Sequence, residues 1–310
     1  MKELYQKIQE LVLENYQGTL DSKTLDIVTI AVMALYIKNP EMVKERIPSI
    51  LKKLDILAGN EKVSTYIMNK YSNYPWNSIS DSESAMVVRA LDTESKPVDE
   101  DWTMAISTNE EKIELVDIIA KTIHELTHLL RFGGIKETKR EIIVKDGICT
   151  ARVDKKKHKT VKDHYSFEEG LVEKHTKDTM NNFYEYLESE KDLSFSPMLE
   201  RFKNKFNGDY KNVYILEVSL IELLYSNETL KELFDETFEL SDDTPRVITY
   251  IDEITKQRGM FSLLSNGLDR LSDSTSKGDI AGSIRIINSL KPSVTRIVDT
   301  ANKQYTNKAN

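Results

Sequence analysis

A single cysteine, Cys149, stands among 310 residues. No disulfide can form within the chain, and nothing demands an oxidising compartment. Glycine and proline are also sparse, at 11 and 7 residues, which excludes collagen-like and low-complexity classes and fits a helix-rich chain. Positive charge is outweighed. With 43 Lys and Arg against 51 Asp and Glu, the net charge is −8, which argues against a nucleic-acid surface, because phosphate contact needs clustered positive charge. The one basic run, Lys155-Lys156-Lys157-His158-Lys159, reads as a solvated loop. Long apolar runs are missing too. The longest, Val28 to Ile37, is too short to cross a bilayer and reads as a buried helix. Met1 to Gln6 is charged and lacks the apolar core of a signal peptide. The expectation is a cytoplasmic protein with neither a nucleic-acid nor a membrane partner. The sequence carries no signal for a particular oligomeric state.

What is present is 39% hydrophobic and 30% charged residues, enough in a chain of this length for a substantial core. Residues 1–59 read as an N-terminal helical region. Leu4, Ile8, Leu11, Leu13 and Tyr16 form a stripe ending at Gly18, Asp21 or Ser22 can cap a second helix running to Asn39-Pro40, and a third is interrupted near Pro48 and stops at Gly59-Asn60. Residues 60–190 read as a core of mixed texture. Tyr71 to Asn77 is loop-like, whereas Met86 to Leu91 and Trp102 to Ser107 look like short strands. Gly133-Gly134 supplies a helix stop, and Glu141–Lys145 and Ile148–Val153 flank Asp146-Gly147, a hairpin signature. Residues 191–310 read as a helical C-terminal subdomain, with breaks near Ser194 to Pro197, Asn207-Gly208, Ser241 to Asp243 and Asn288 to Pro292. The fold class expected is α+β and mostly helical, with a small sheet of three or four strands around one central helix.

That helix carries His124-Glu125-Leu126-Thr127-His128. Histidines four apart lie on one helix face, so both imidazoles can reach one metal ion. Glu125, beside the first, is placed to take a proton from water at that metal. With only five histidines in the chain, the pattern is specific for metal and less so for turnover. The competing reading is an amphipathic helix on which the pattern is accidental.

Two histidines need a third protein ligand. Candidates lie in Tyr165 to His175: Glu168, Glu169 and Glu173, with His175 last because it falls on another face. Ser166-x-x-Glu169 also fits a capping box, which would commit Glu169 to the helix terminus.

His124 to His128 followed by Glu169-x-x-x-Glu173 resembles the zincin metallopeptidases, specifically the gluzincin branch of thermolysin type. The resemblance covers about residues 113–180. It differs in a longer spacer between the motifs and in Glu168 standing where the family usually has asparagine. It implies a zincin-like core and a Zn2+ cofactor held by His124, His128 and Glu169, with Glu125 as general base. It also implies that Glu173, one turn past Glu169, hydrogen-bonds a ligand histidine. The substrate would be a peptide or protein, laid as an added strand along a sheet edge such as Met104–Ser107, which reads equally well as an ordinary core strand. An oxyanion donor would come from Tyr210, Tyr214, Tyr165 or His164, with Tyr214 preferred. Cys149 has no evident histidine partner and reads as a hairpin side chain. The function implied is a zinc-dependent metallopeptidase. The alternative is a non-catalytic zincin-fold binding protein that keeps the metal motif.

Overall fold

The computed structural model describes residues 1–58, 85–91, 97–106, 113–154, 156, 159–212, 214–238 and 245–309. The loop expected at Tyr71 to Asn77, the break at Ser241 to Asp243 and most of the basic run (residues 155, 157 and 158) lie outside them. The architecture is α+β and mostly helical. Two compact units form, one from Met1–Leu130 and His175–Lys211, the other from Arg131–Lys174 and Asn212–Asn310. Among the described residues no helix is long and apolar enough to cross a membrane.

The first unit opens with α1 (Lys2–Asn15), α2 (Ser22–Lys38) and α3 (Pro40–Lys53). Helix α1 buries Tyr5, Ile8 and Val12, whereas Leu13, expected on the inner stripe, is 56% exposed. Asp21 caps α2 by accepting from the Thr24 N–H at 3.0 Å, and every residue from Ile27 to Leu35 is buried. That explains its apolar run: the helix is covered on all sides. Asn39 caps α3 with Pro40 in the first turn, where proline's missing N–H costs nothing.

Two expectations for this region are corrected. Helix α3 continues through Pro48, because Val43, Ile47 and Leu51 are fully buried and their burial offsets one lost backbone bond. It then ends at Lys53, and Leu54–Ala58 is strand β1 rather than helix. The partner of β1 is distant: it pairs in parallel with β3 (Pro97–Ile106), from Leu54↔Trp102 to Ala58↔Ile106. Strand β2 (Ala85–Leu91) runs antiparallel on the other side, giving the order β1-β3-β2. Among the described residues β3 is therefore the central strand, so of the two readings of Met104–Ser107 the core strand holds and the substrate-binding edge does not. Ser107 lies outside the described residues.

The unit also holds most of α4 (Leu115–Arg131), the second half of α5 (Tyr165–Ser189) and all of α6 (Pro197–Lys205).

In the second unit β4 (Phe132–Glu137), β5 (Glu141–Asp146), β6 (Cys149–Asp154) and β7 (Lys159–Asp163) form an antiparallel sheet in chain order. Gly133 and Gly134 lie inside β4 at a register shift, with Gly134 at φ 108°; the helix stops before them, at Arg131. The hairpin closes one residue later than expected. Asp146 pairs with Cys149, so Gly147 and Ile148 make the turn, with Gly147 at φ 54°. The remaining helices are α7 (Ile215–Tyr225), α8 (Glu228–Asp235), α9 (Arg246–Thr255), α10 (Met260–Ser276) and α11 (Ile280–Ala309). They share a core with the start of α5, in which Phe167, Ile221, Phe234, Phe261 and Val294 are fully buried. The break expected at Asn288 to Pro292 is absent. Helix α11 runs through Pro292, with Leu290, Val294 and Ile297 buried on one face.

Candidate metal centre

Helix α4 forms because Leu115, Ile118, Ile119, Ile123, Leu126 and Leu130 are buried at helical spacing. Its buried threonines are satisfied locally: Thr122 and Thr127 donate to the Ile118 and Ile123 carbonyls at 2.8 and 2.7 Å. Two of its C-terminal carbonyls, orphaned by the helix end, are also met. Arg46 Nη1 donates to the Leu130 carbonyl at 2.8 Å, and the Gly147 N–H donates to that of Arg131 at 3.0 Å.

On this helix His124 is buried and His128 half-buried. Their Nε2 atoms stand 3.2 Å apart. Two nitrogens bound about 2.0–2.1 Å from a tetrahedral zinc ion are about 3.3 Å apart, so the pair fits one ion. Ligand atoms of His124, His128 and Glu169 all lie within 4.8 Å of one another. That donor set, two imidazoles and a carboxylate, suits zinc. A second group, His128, Asp146 and Glu168, meets the same distance. Neither Glu173 nor His175 belongs to such a group among the described residues. Glu173 is buried, and the His175 carbonyl accepts from Lys38 Nζ at 3.2 Å.

The capping-box reading of Glu169 is not realised. The His164 carbonyl accepts the first helical bond, from the Glu168 N–H at 3.0 Å, which makes His164 the cap residue, in the left-handed region at φ 64°. Ser166 already lies inside α5, and its N–H donates to Asp269 Oδ1 at 3.0 Å. The capping acceptor thus comes from α10, not from Ser166 or Glu169.

Glu168 is committed elsewhere. Its carboxylate takes both Nε and Nη2 of Arg131, the latter at 2.9 Å, and the Ile148 N–H at 2.9 Å. Arg131 is 1% exposed and also donates from Nη2 to Thr237 Oγ1 at 3.0 Å. Burial by itself would push the guanidinium down, but the Glu168 charge and hydrogen bonds hold it above its ordinary value.

Around Glu169, helix α7 comes very close to α5. A Cβ on Gly170 would meet Ile221 Cδ1 at 2.6 Å and Glu217 Cβ at 3.1 Å, so glycine is what permits the approach. That approach brings Tyr214 and Glu217 toward the carboxylate. Burial, the Glu169 charge, and hydrogen bonds with Tyr165 and Glu169 push the Tyr214 phenol well above its ordinary range. Burial raises Glu217 as well, with a smaller contribution from the Glu169 charge.

Glu125 is 8% exposed, with Lys121 Nζ 3.7 Å from its Oε1. Of the other candidates, His164 packs edge-on against Phe261 at 5.1 Å, and the Tyr210 N–H donates to Asp209. Cys149 is buried, and burial pushes its thiol up, which leaves it inert as a nucleophile.

Sequence reasoning missed Arg131 and Asp269. For Arg131 a signal existed: it stands seven residues past His124 and three past His128, on the same helix stripe. No protein-family model, curated protein or solved structure matches the chain.

Proposed function

We propose that the chain is a zinc-dependent peptidase with a gluzincin-like core, acting on peptide or protein substrates. The observation that carries this reading is the 3.2 Å separation of the two Nε2 atoms, with a Glu169 oxygen in the same 4.8 Å group. His124 and His128 would hold the ion, with Glu169 as the third ligand. When bound, zinc supplies Lewis acidity toward a substrate carbonyl and makes water more acidic. The Glu125 carboxylate accepts the water proton and returns it to the leaving amide nitrogen. Its burial restricts bulk water around that transfer. Tyr214, expected as an oxyanion donor, is better read as orienting Glu169, because its hydroxyl is engaged by Glu169 and Tyr165. Glu173 follows Glu169 by one turn of the same helix, as the resemblance expects of the acid that would orient a ligand histidine.

The test is metal content and peptide cleavage of the wild type and of Glu125→Gln. One zinc per chain in both proteins is expected, with cleavage at least ~100-fold slower in the variant. Zinc retained without cleavage by the wild type would favour a binding protein. Well below one zinc per chain would sink the metal reading altogether.

A further inference from the structure

The two adjacent acids, Glu168 and Glu169, each lie in a group with His128 that satisfies metal-ligand spacing. Only one fits the three-ligand site proposed above, and this inference rests on that reading. What separates them is the buried arginine. His124, His128 and Arg131 occupy successive turns of one stripe of α4, so the face that offers two imidazoles ends in a guanidinium. That guanidinium grips Glu168 in a fork through Nε and Nη2, and the Ile148 N–H adds a third bond to the same carboxylate. Thr237 Oγ1 fixes the arginine from behind. The turn is built around this pair. A side chain on Gly147 would collide with both the Glu168 carboxylate and Arg131 Nη2, and its left-handed backbone also favours glycine.

We propose that Arg131 is a positioning residue that withholds Glu168 from the ion and leaves Glu169 as the sole carboxylate ligand. A carboxylate accepting a bidentate arginine and a backbone N–H has little lone-pair capacity left for a metal. Removing the arginine releases a second acid within reach of His128.

The experiment uses cobalt(II) titrated into the full-length apo protein, read by visible absorption and by competition with a chromophoric chelator. Wild type is expected to give the intense spectrum of a four-coordinate ion. Arg131→Met adds Glu168 to the shell, so intensity falls, and Arg131→Met/Glu168→Leu restores the wild-type spectrum. Glu169→Ala weakens cobalt binding about 100-fold, and Glu169→Ala/Arg131→Met regains at least about tenfold of that through Glu168. A purely structural Arg131 would lower the melting temperature without changing the spectrum or rescuing Glu169→Ala, and that result overturns the inference. Should the methionine variants not fold, Arg131→Lys decides. It keeps the charge but not the fork, so partial rescue of Glu169→Ala is expected and its absence overturns the proposal. Failure of the wild type to take up cobalt is a separate outcome, which removes the metal reading and this inference with it.

Discussion

Tyr214 is the residue on which the proposed site's second layer turns. Its hydroxyl bonds to Glu169 and Tyr165 within a buried setting, so Tyr214→Phe removes one donor and leaves the ring. Groups that hold a metal ligand in place are worth 10- to 100-fold in affinity. Zinc affinity, measured by chelator competition, is therefore expected to fall about tenfold; an unchanged value would mean that the ring alone matters. His164 gives a prediction about pH. Burial holds its imidazole below the ordinary value, against weaker opposing charges from Asp163 and Asp269. The unfolded chain therefore binds the proton first as pH falls. Stability is present above about pH 6.5 and is lost as pH drops from there through the lower folded value. Asparagine tolerates the left-handed φ that His164 adopts but does not titrate. His164→Asn should show a shallower loss of melting temperature between pH 7.5 and 5 than the wild type, and parallel curves would refute this.

At the scale of elements, the start of α5 decides where Glu169 points, and the chain solves it non-locally. Asp269 on α10 supplies the acceptor for the Ser166 N–H. Replacing a capping acceptor by alanine costs about 1 kcal/mol. Asp269→Ala should therefore lower the melting temperature by about 2 °C, and Asp269→Asn, which keeps an acceptor, should recover most of that; equal losses in the two variants would show that the cap is not the cause. This cap also marks the limit of what the sequence reveals. Ser166-x-x-Glu169 is a valid capping box as text, and only the arrival of Asp269, far along the chain, displaces it. Strand β1 is hidden for the same reason, since its pairing partner begins beyond residue 100. Pro48 and Pro292 read as breaks because proline's local penalty is visible in a sequence, whereas the burial that offsets it is not. Local patterns were readable. The spacing of His124 and His128 and the turn glycine Gly147 depend on neighbours within a few residues, and there the expectation and the structure agree to within one position.

For the molecule as a whole, metal binding and folding are one linked equilibrium. An ion that binds the folded chain and not the unfolded one stabilises it by about 2.7 kcal/mol at a free concentration 100 times its dissociation constant. For a chain of 310 residues that corresponds to a rise in melting temperature of about 4 °C. Zinc added to chelator-stripped protein should produce such a rise at pH 7.5, and none in His124→Ala/His128→Ala. Protons compete with the ion for the same imidazoles, which bind only when neutral. The gain should therefore shrink as pH falls. The metal-free protein is itself expected to lose stability in acid, partly through His164, so the quantity to compare is the difference between zinc-loaded and stripped protein at each pH. A difference independent of pH would place the ion on carboxylates alone, and no difference at any pH would leave His124, His128 and Glu169 as a packed polar cluster without a metal.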